Sequence, residues 1–255
     1  VAADGELRYP SYFVDWPTSG RPEEKDGARA INILAARAAI ALLETFGQDS
    51  SVARALLDKL LKKEIVARDN KKVLALKHFA VGLSQTEQAR LVRGGACGMS
   101  TFMSYYILKA IAAFDKAAAI DMMKQYYGGM LDKGATSLWE CLEHDFTMPR
   151  EVGTASYNHP MHSGFAYFLY AHVGGIKPLT PGFATFEVSP CDYEGIPSAT
   201  VSHISPFGEI KVDFKREAGK TTYTVTVPAG SVGYFRKGDL NEKMGSGVHT
   251  FTLEA

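Results

Sequence analysis

The stretch that decides the fold is KPLTPG, residues 177–182, because the spacing of apolar side chains changes across it. Two prolines and a glycine this close together end helical geometry. Before the stretch, apolar residues recur every three or four positions, as on one face of a helix. After it they alternate with polar residues, as along a strand. We therefore predict an all-helical part over residues 1–178 and an all-β part over residues 179–255.

Glycines and capping residues divide the helical part into about seven helices. The first helix is expected to stop at Gly47, and the third is expected to run over residues 71–81 and stop at Gly82. Ser84 and Glu87 have the spacing of a capping box, in which each side chain binds a free backbone N–H at the helix start. Helices of this length joined by short turns pack as antiparallel hairpins. For the second helix, the pattern predicts a buried stripe formed by Val52, Leu56, Leu60 and Leu61.

The β part contains runs rich in β-branched and aromatic residues, separated by turns of Gly, Pro, Asp and Asn. These runs cover residues 185–188, 210–214, 221–227, 232–235 and 248–253. Short strands at this spacing are typical of an antiparallel sandwich. The predicted fold class is therefore α+β multidomain, with helical hairpins followed by an antiparallel β-sandwich.

The composition indicates a globular protein without an excess of charge. The 28 basic residues offset 28 acidic ones, and no basic stripe is interleaved with aromatic residues, which argues against nucleic-acid binding. The sequence has no apolar run long enough to cross a bilayer, so we expect no membrane partner. The first residues do not form a signal peptide and do not begin with Met, which is typical of a fragment.

Cysteine spacing and loop motifs give no indication of a metal or a cofactor. Cys97, Cys141 and Cys191 lie far apart and form no CxxC pair, so free thiols are expected. The sequence contains no P-loop, GxSxG elbow or HExxH motif, and its paired glycines are predicted to end helices. We therefore expect no cofactor.

The first candidate site segment is FVDWP, residues 13–17, just ahead of the first helix. The face of Trp16 can stack on the apolar side of a sugar ring, and the neighbouring Asp15 can accept hydrogen bonds from sugar hydroxyls. The alternative is a tryptophan buried in the core beside an aspartate that stabilises a turn. For this pair taken alone, burial is the favoured interpretation, because large aromatic side chains are mostly buried.

A second segment, GATSLWE at residues 134–140, lies in the long loop that precedes Pro160. Its small residues lead to an aromatic–carboxylate pair, Trp139 and Glu140. An apolar ring beside a carboxyl group can tune the pKa of that group for acid–base catalysis. The alternative is an exposed loop glutamate beside a packed tryptophan.

The third segment is SYNHPMH, residues 156–162, at the start of the last predicted helix. Asn158 and His159 there are placed to present side chains to a ligand near a helix N-terminus. His159 and His162 are separated as some metal ligands are, but no third ligand has a definite spacing. We therefore predict no metal, and we expect His162 to pack on the helix face.

Taken in order, these segments resemble the α-L-rhamnosidase family of inverting glycoside hydrolases, and the likeness extends over nearly the whole chain. Each motif is moderately specific alone, whereas the ordered set is strong. In the sandwich the likeness continues through residues 206–210 and 225–230. In the helical part it is carried by DWP (15–17), GMSTF (98–102) leading into YYIL (105–108), GATSLWE (134–140), NH (158–159) leading into YFL (167–169), and GIKP (175–178) through PGF (181–183).

The resemblance implies a catalytic domain built as an (α/α)6 barrel, a ring of helical hairpins, of which residues 1–178 form the C-terminal part. The family's general acid lies upstream, in a Cys-Pro-x-Arg-Asp-Glu-type segment that this chain lacks. The helices predicted here are also too few to close the ring. The general acid and the first half of the barrel are therefore expected to be missing, and the isolated chain is expected to be inactive.

The resemblance also implies roles for individual residues. Glu140 matches the general base that activates water, and Trp16 and His159 match residues that contact the sugar. Asp15, Trp139 and Asn158 adjoin these positions in the same motifs, and we expect them to help bind the substrate.

The sequence therefore predicts a glycoside hydrolase fragment whose parent removes terminal α-L-rhamnosyl residues by an inverting acid/base mechanism. Its expected partners are rhamnose-containing glycans or glycosides, together with the missing N-terminal half of the barrel or another copy of the chain at the open edge. Two alternatives stay open: a non-catalytic carbohydrate-binding or scaffold module, and a six-hairpin glycosidase for another sugar. The compartment is left open between the cytoplasm and the periplasm of a bacterium.

Overall fold

The chain forms two compact units, unit 1 over Val1–Ser163 and unit 2 over Gly164–Ala255. The last helical residue before the strands is Val173, and the first strand begins at Ile176. The unit boundary lies ahead of the last helical segment because that segment packs against strands of unit 2. The computed structural model describes residues 1–9, 12–15, 22–140, 142, 156–160 and 163–254.

Unit 1 is built from helices that pack on the next helix along the chain or on the next but one. The described helices are α1 (Glu24–Thr45), α2 (Ser51–Leu60), α3 (Lys71–Val81), α4 (Gln85–Val92), α5 (Ser104–Ala112) and α6 (Lys116–Asp132). Helix α3 is central, since it contacts α1, α4 and α5, and its residues Val73, Leu74 and Leu76 are buried. Helix α1 also packs on α2, and α5 packs on α6.

The ends of these helices follow local signals in the sequence. The side chain of Asn70 accepts hydrogen bonds from two backbone N–H groups in the first turn of α3. Gly82 ends the same helix at φ +87°, a left-handed conformation that glycine adopts without strain. Ser84 and Glu87 form the predicted capping box, and the carboxylate of Asp115 caps α6. The predicted end of α3 is therefore confirmed.

The predicted buried stripe of α2 is wrong. Val52 is 81% exposed, Leu61 is also exposed, and only Leu60 of the four residues is buried. The apolar side chains Leu42 and Phe46 at the end of α1 are exposed as well. A helical period identifies an apolar face, but burial requires a neighbouring element, and no described residue covers these side chains. Within the described ranges, no helix has the length and apolar character needed to cross a membrane.

Unit 2 begins with a short helix and continues as a β-sandwich. Helix α7 (Gly164–Phe168) passes directly into a π-helical turn over Leu169–Val173. The strands are β1 (Ile176–Pro178), β2 (Thr185–Val188), β3 (Ser198–Ser205), β4 (Gly208–Glu217), β5 (Lys220–Val227), β6 (Val232–Lys237), β7 (Leu240–Met244) and β8 (Gly247–Glu254). The five predicted runs lie in β2, β4, β5, β6 and β8. Strands β1, β3 and β7 were not predicted.

The strands form two four-stranded sheets, with the orders β1-β2-β6-β7 and β3-β4-β5-β8. Neighbouring strands are antiparallel, as predicted, except for the parallel pair β2 and β6. Tyr223 of β5 meets Phe235 of β6 at a ring distance of 5.3 Å, and Phe235 stacks on Phe251 of β8 at 4.2 Å. These rings come from both sheets, so the core of unit 2 lies between them.

Candidate functional site

Two segments of unit 1, residues 134–140 and 156–160, are paired by hydrogen bonds and carry most of the predicted site residues. The N–H of Glu140 donates to the carbonyl of Ser156 over 2.8 Å. The N–H of His159 likewise donates to a carbonyl of the first segment over 2.8 Å. We name these paired segments the site loops. Because of this pairing, two motifs that are separate in the sequence become neighbours in space.

The carboxylate of Glu140 is oriented by the second site loop. Its Oε2 accepts a hydrogen bond of 2.8 Å from the N–H of Ser156. Nδ1 of His159 lies 3.6 Å from the same oxygen, and both side chains are partly accessible, at 21% for Glu140 and 25% for His159. A carboxylate that is held by a backbone N–H and is still reachable by solvent can take a proton from water.

Trp139 and Asn158 line an open cavity of about 580 Å³ in the site loops. Trp139 is largely buried, and its ring meets that of Tyr157 edge to face at 5.1 Å. Among the described residues, Glu140 and His159 do not belong to the lining, although each follows a lining residue in the sequence. A cavity of this size can hold a sugar ring.

Asp15 lies away from solvent and is engaged by the helical core. The hydroxyl of Ser100 donates to its carboxylate. Nζ of the fully buried Lys72 donates to its main-chain carbonyl over 2.6 Å. These bonds fix the chain immediately before Trp16. Trp16 itself lies outside the described residues.

Leu142, two residues after the first site loop, is tied to helix α6 through the hydroxyl of Tyr126. The hydroxyl of Tyr126 accepts a hydrogen bond from the N–H of Leu142 over 3.4 Å and lies 3.1 Å from the hydroxyl of Thr101. Next to it, the hydroxyl of Tyr127 bonds to that of Ser104 at 2.7 Å, and burial raises the pKa of Tyr127 to about 12. Tyr127 is therefore a neutral structural group at physiological pH.

Of the six predicted site residues, four lie in the site loops: Trp139, Glu140, Asn158 and His159. Sequence reasoning missed the contribution of Ser156 and Tyr157. Ser156 binds Glu140 through its backbone N–H, which any residue could supply, so the sequence carries no signal for this contact. Its hydroxyl bonds to the backbone of Asn158. Tyr157 could have been suspected, because it is an aromatic residue beside the Asn-His pair.

The described ranges contain no group of three or more His, Cys, Asp or Glu side chains arranged to hold a metal ion. Cys97 is exposed and Cys191 is buried, whereas Cys141 and His162 lie outside the described residues. The predicted site residues in the site loops supply a carboxylate, an imidazole, an amide and an indole.

Residues 175–234, from the start of the sandwich into β6, match the family model of the bacterial alpha-L-rhamnosidase C-terminal domain. An alpha-L-rhamnosidase of Formosa agariphila is 33% identical over an alignment of 147 positions, which covers 54% of this chain and 15% of that protein. The chain resembles the C-terminal portion of α-L-rhamnosidases. The resemblance predicted from the ordered motifs is thereby confirmed.

Solved α-L-rhamnosidases share the fold of this chain. The Streptomyces avermitilis α-L-rhamnosidase complexed with L-rhamnose has a TM-score of 0.79 at 18% identity, covering 98% of this chain and 29% of that one. The α-L-rhamnosidase of Dictyoglumus thermophilum has a TM-score of 0.77 at 16% identity, covering 100% and 35%. That of Aspergillus terreus has a TM-score of 0.75 at 18% identity, covering 93% and 31%. The predicted helical and β-sandwich fold of a rhamnosidase C-terminal portion is therefore confirmed, and the chain spans 29–35% of each solved rhamnosidase.

Proposed function

We propose that the intact parent of this chain is a glycoside hydrolase that removes terminal α-L-rhamnosyl residues with inversion, and that Glu140 is its general base. The observation that carries the proposal is the Glu140 carboxylate, whose Oε2 is bound by the N–H of Ser156 at 2.8 Å and lies 3.6 Å from Nδ1 of His159. The likeness to rhamnosidases, one of them complexed with L-rhamnose, supports rhamnose as the bound sugar.

In the proposed reaction, Glu140 takes a proton from a water molecule while that water attacks the anomeric carbon. The attack comes from the face opposite the leaving group, so the product has the inverted configuration. A carboxylic acid protonates the leaving oxygen, and in inverting enzymes the two carboxyl groups lie about 6.5–9.5 Å apart. We propose that this acid belongs to a part of the parent that the present sequence does not include.

The remaining site residues are proposed to bind the sugar. With Nδ1 beside Glu140, His159 can orient the carboxylate and bond to a sugar hydroxyl through Nε2. Asn158 is exposed in the cavity, and Trp139 contributes an aromatic wall. Asp15 is proposed to act mainly by fixing the backbone that carries Trp16, because Ser100 already engages its carboxylate.

The exposed apolar side chains of α1 and α2 support a covering partner. Leu42, Phe46 and Val52 are large, apolar and exposed, and groups of such side chains often mark interaction surfaces. We propose that another part of the barrel, or a second copy of the chain, covers them.

We also propose that residues 1–178 form the end of the helical catalytic domain and that residues 179–255 form the closing sandwich domain.

The test uses the full-length parent and an aryl α-L-rhamnoside. Glu140→Gln keeps the size of the side chain but cannot accept the proton, so kcat should fall by about 10²–10⁴-fold with little change in KM. Glu64→Gln is the matched control, because Glu64 is an exposed glutamate of the same unit and should leave kcat unchanged. A near-normal kcat for Glu140→Gln would move the base to another carboxylate, such as Glu143 or Asp145.

The sugar-binding assignment is tested separately. Trp16→Ala should raise KM and leave kcat nearly unchanged, because it removes a stacking face without altering the proton chemistry. If the wild-type parent binds glycans without turnover, the alternative of a non-catalytic carbohydrate-binding module is correct. If a screen of linkages finds turnover of another sugar only, the protein is a six-hairpin glycosidase of different specificity.

A further inference from the structure

Unit 2 contains a cavity of its own, with a volume of about 280 Å³. We propose that this cavity binds a small planar aromatic molecule of the phenol type. The proposal concerns a different cavity from the site loops and does not depend on the proposed function. The lining residues are Tyr167, Tyr170, Ile176, Pro178, Phe183 and His203.

The volume limits the size of the occupant. Benzene occupies an apolar cavity of about 150 Å³, and sites for drug-sized ligands begin near 300 Å³. A cavity of about 280 Å³ therefore suits one ring with a small substituent, or two fused rings.

The chemistry of the walls selects an aromatic ring over a sugar. Four of the six lining side chains are aromatic rings, and the exposed wall is almost entirely carbon. A monosaccharide in such a cavity would leave several hydroxyls without hydrogen-bond partners, which costs free energy for each one. A flat aromatic ring makes no such demand, and it can meet the wall rings face to face or edge to face.

The aromatic wall has a defined geometry. The rings of Phe183 and His203 lie 4.3 Å apart at an interplanar angle of 37°. The ring of Tyr170 meets His203 edge-on at 6.1 Å and 75°. These three rings come from the π-helical turn, the loop before β2 and strand β3. Distinct elements thus converge on one cavity.

Phe183 has a backbone conformation that bulky residues disfavour. Its φ is +60°, a left-handed value that a bulky residue rarely adopts, and such outliers cluster at ligand clamps. The surrounding loop is closed by bonds between its ends: the N–H of Thr185 donates to the hydroxyl of Thr180 over 2.8 Å, and its carbonyl accepts the N–H of Leu179 over 2.9 Å. The loop therefore holds the Phe183 ring against His203.

The π-helical turn and the sheet pack closely at two glycines, so the walls of the cavity are in place before a ligand binds. A Cβ added at Gly174 would lie 2.6 Å from Cγ1 of Val201 in β3, and one added at Gly175 would collide with the backbone of Ser189. Only glycine allows this close approach of the π-helical turn to the sheet. A preformed cavity avoids the free-energy cost of ordering its walls on binding.

The test compares two probes with the same substituents, the flat aromatic 4-methylphenol and the saturated 4-methylcyclohexanol, titrated into the 255-residue chain by ligand-observed NMR. We expect saturable binding of 4-methylphenol that is about threefold to tenfold tighter than that of the cyclohexanol, because only the phenol has an aromatic face. His203→Leu and Tyr170→Leu keep apolar bulk but remove a ring, so each should reduce or abolish this preference.

Phe207→Leu is the matched control, since Phe207 is an exposed aromatic residue of the same unit outside the lining, and it should change neither affinity. Glu140→Gln should likewise leave 4-methylphenol binding unchanged. Circular dichroism establishes that each variant is folded. If His203→Leu does not fold, Tyr170→Leu replaces it in the test, and the reverse. The proposal is overturned by absence of saturable binding, by equal affinities for the two probes, by a preference that survives both variants, or by displacement of 4-methylphenol with L-rhamnose.

Discussion

Asp15 and Glu140 have similar sequence settings, each a carboxylate beside a tryptophan, but they occupy different environments in unit 1. Asp15 is buried and bound by Ser100 through its carboxylate and by Lys72 through its carbonyl. Glu140 is partly accessible, is oriented by a backbone N–H and lies beside His159. The carboxylate of Asp15 is bound inside the protein, whereas that of Glu140 is accessible to water. An aromatic–carboxylate pair in a sequence therefore does not distinguish an anchoring acid from a candidate catalytic one.

The largest difference between the two carboxylates should appear in stability. Asp15→Ala removes a buried, charge-assisted hydrogen bond, so the free energy of unfolding should fall by roughly 1.5–3 kcal/mol. Glu140→Ala is the matched comparison, and it should cost less than about 1 kcal/mol because the carboxylate and the neighbouring His159 side chain are both partly exposed. Urea denaturation followed by circular dichroism measures both. Equal losses for the two variants would remove the distinction between anchor and candidate base.

A second prediction concerns Lys71, a buried lysine of α3 that precedes the Lys72 bound to Asp15. Lys71, the neighbour of Lys72, donates to the carbonyls of Leu91 and Arg93 over 2.7 and 2.6 Å. Burial lowers the pKa of Lys71 from 10.5 to about 8. Between these pH values the unfolded chain keeps a proton that the folded chain has released, so stability should rise with pH. The gain should be roughly 1–2 kcal/mol between pH 8 and 10.

The pH prediction is checked by urea denaturation across this range. Lys71→Met should flatten the rise, because it removes the titrating group. Above pH 10 the raised pKa of Tyr127, about 12, should act in the opposite direction, because the unfolded tyrosine ionises first. A rise that persists unchanged in Lys71→Met would show that another group causes it.

The smallest expected effect concerns the left-handed backbone conformation of Gly134, the first residue of the first site loop. Gly134 starts that loop at φ +82°, so Gly134→Ala should cost roughly 1–2 kcal/mol through backbone strain, although an added Cβ meets nothing within 4 Å. Gly128 lies inside α6 in equally open space, and Gly128→Ala should stabilise the chain by roughly 0.5–1 kcal/mol. Thermal unfolding compares the two. Stabilisation by both substitutions would mean that the left-handed turn at Gly134 is not required.

Much of the fold could be predicted because its signals are local. Gly82 and the Ser84–Glu87 capping box mark helix ends within a few residues. Strand β7 was missed because its sequence, LNEKM, has no β-branched residue and no regular alternation. The parallel pairing of β2 with β6 could not be predicted either, since a strand's own pattern does not state the direction of its partner.

The candidate site was likewise predictable only where its signals are local. Its motifs were recognisable, and four of the predicted residues lie in the site loops. The environment of Asp15 was not predictable, because Lys72 and Ser100 are 57 and 85 residues away in the sequence. The unburied stripe of α2 has the same cause, since a single helix does not specify what covers it.

The central claim is that Glu140 takes the proton from the attacking water. The most direct test is rescue of Glu140→Ala by sodium azide in the full-length parent, with an aryl α-L-rhamnoside as substrate. Azide attacks without losing a proton, so it needs no base, and it can enter the space that the carboxylate leaves. We predict that the variant loses about 10²–10⁴-fold in kcat and that azide restores turnover. The product, identified by NMR, should be the β-L-rhamnosyl azide. An unimpaired kcat without azide, or an impaired kcat that azide does not raise, would contradict the assignment.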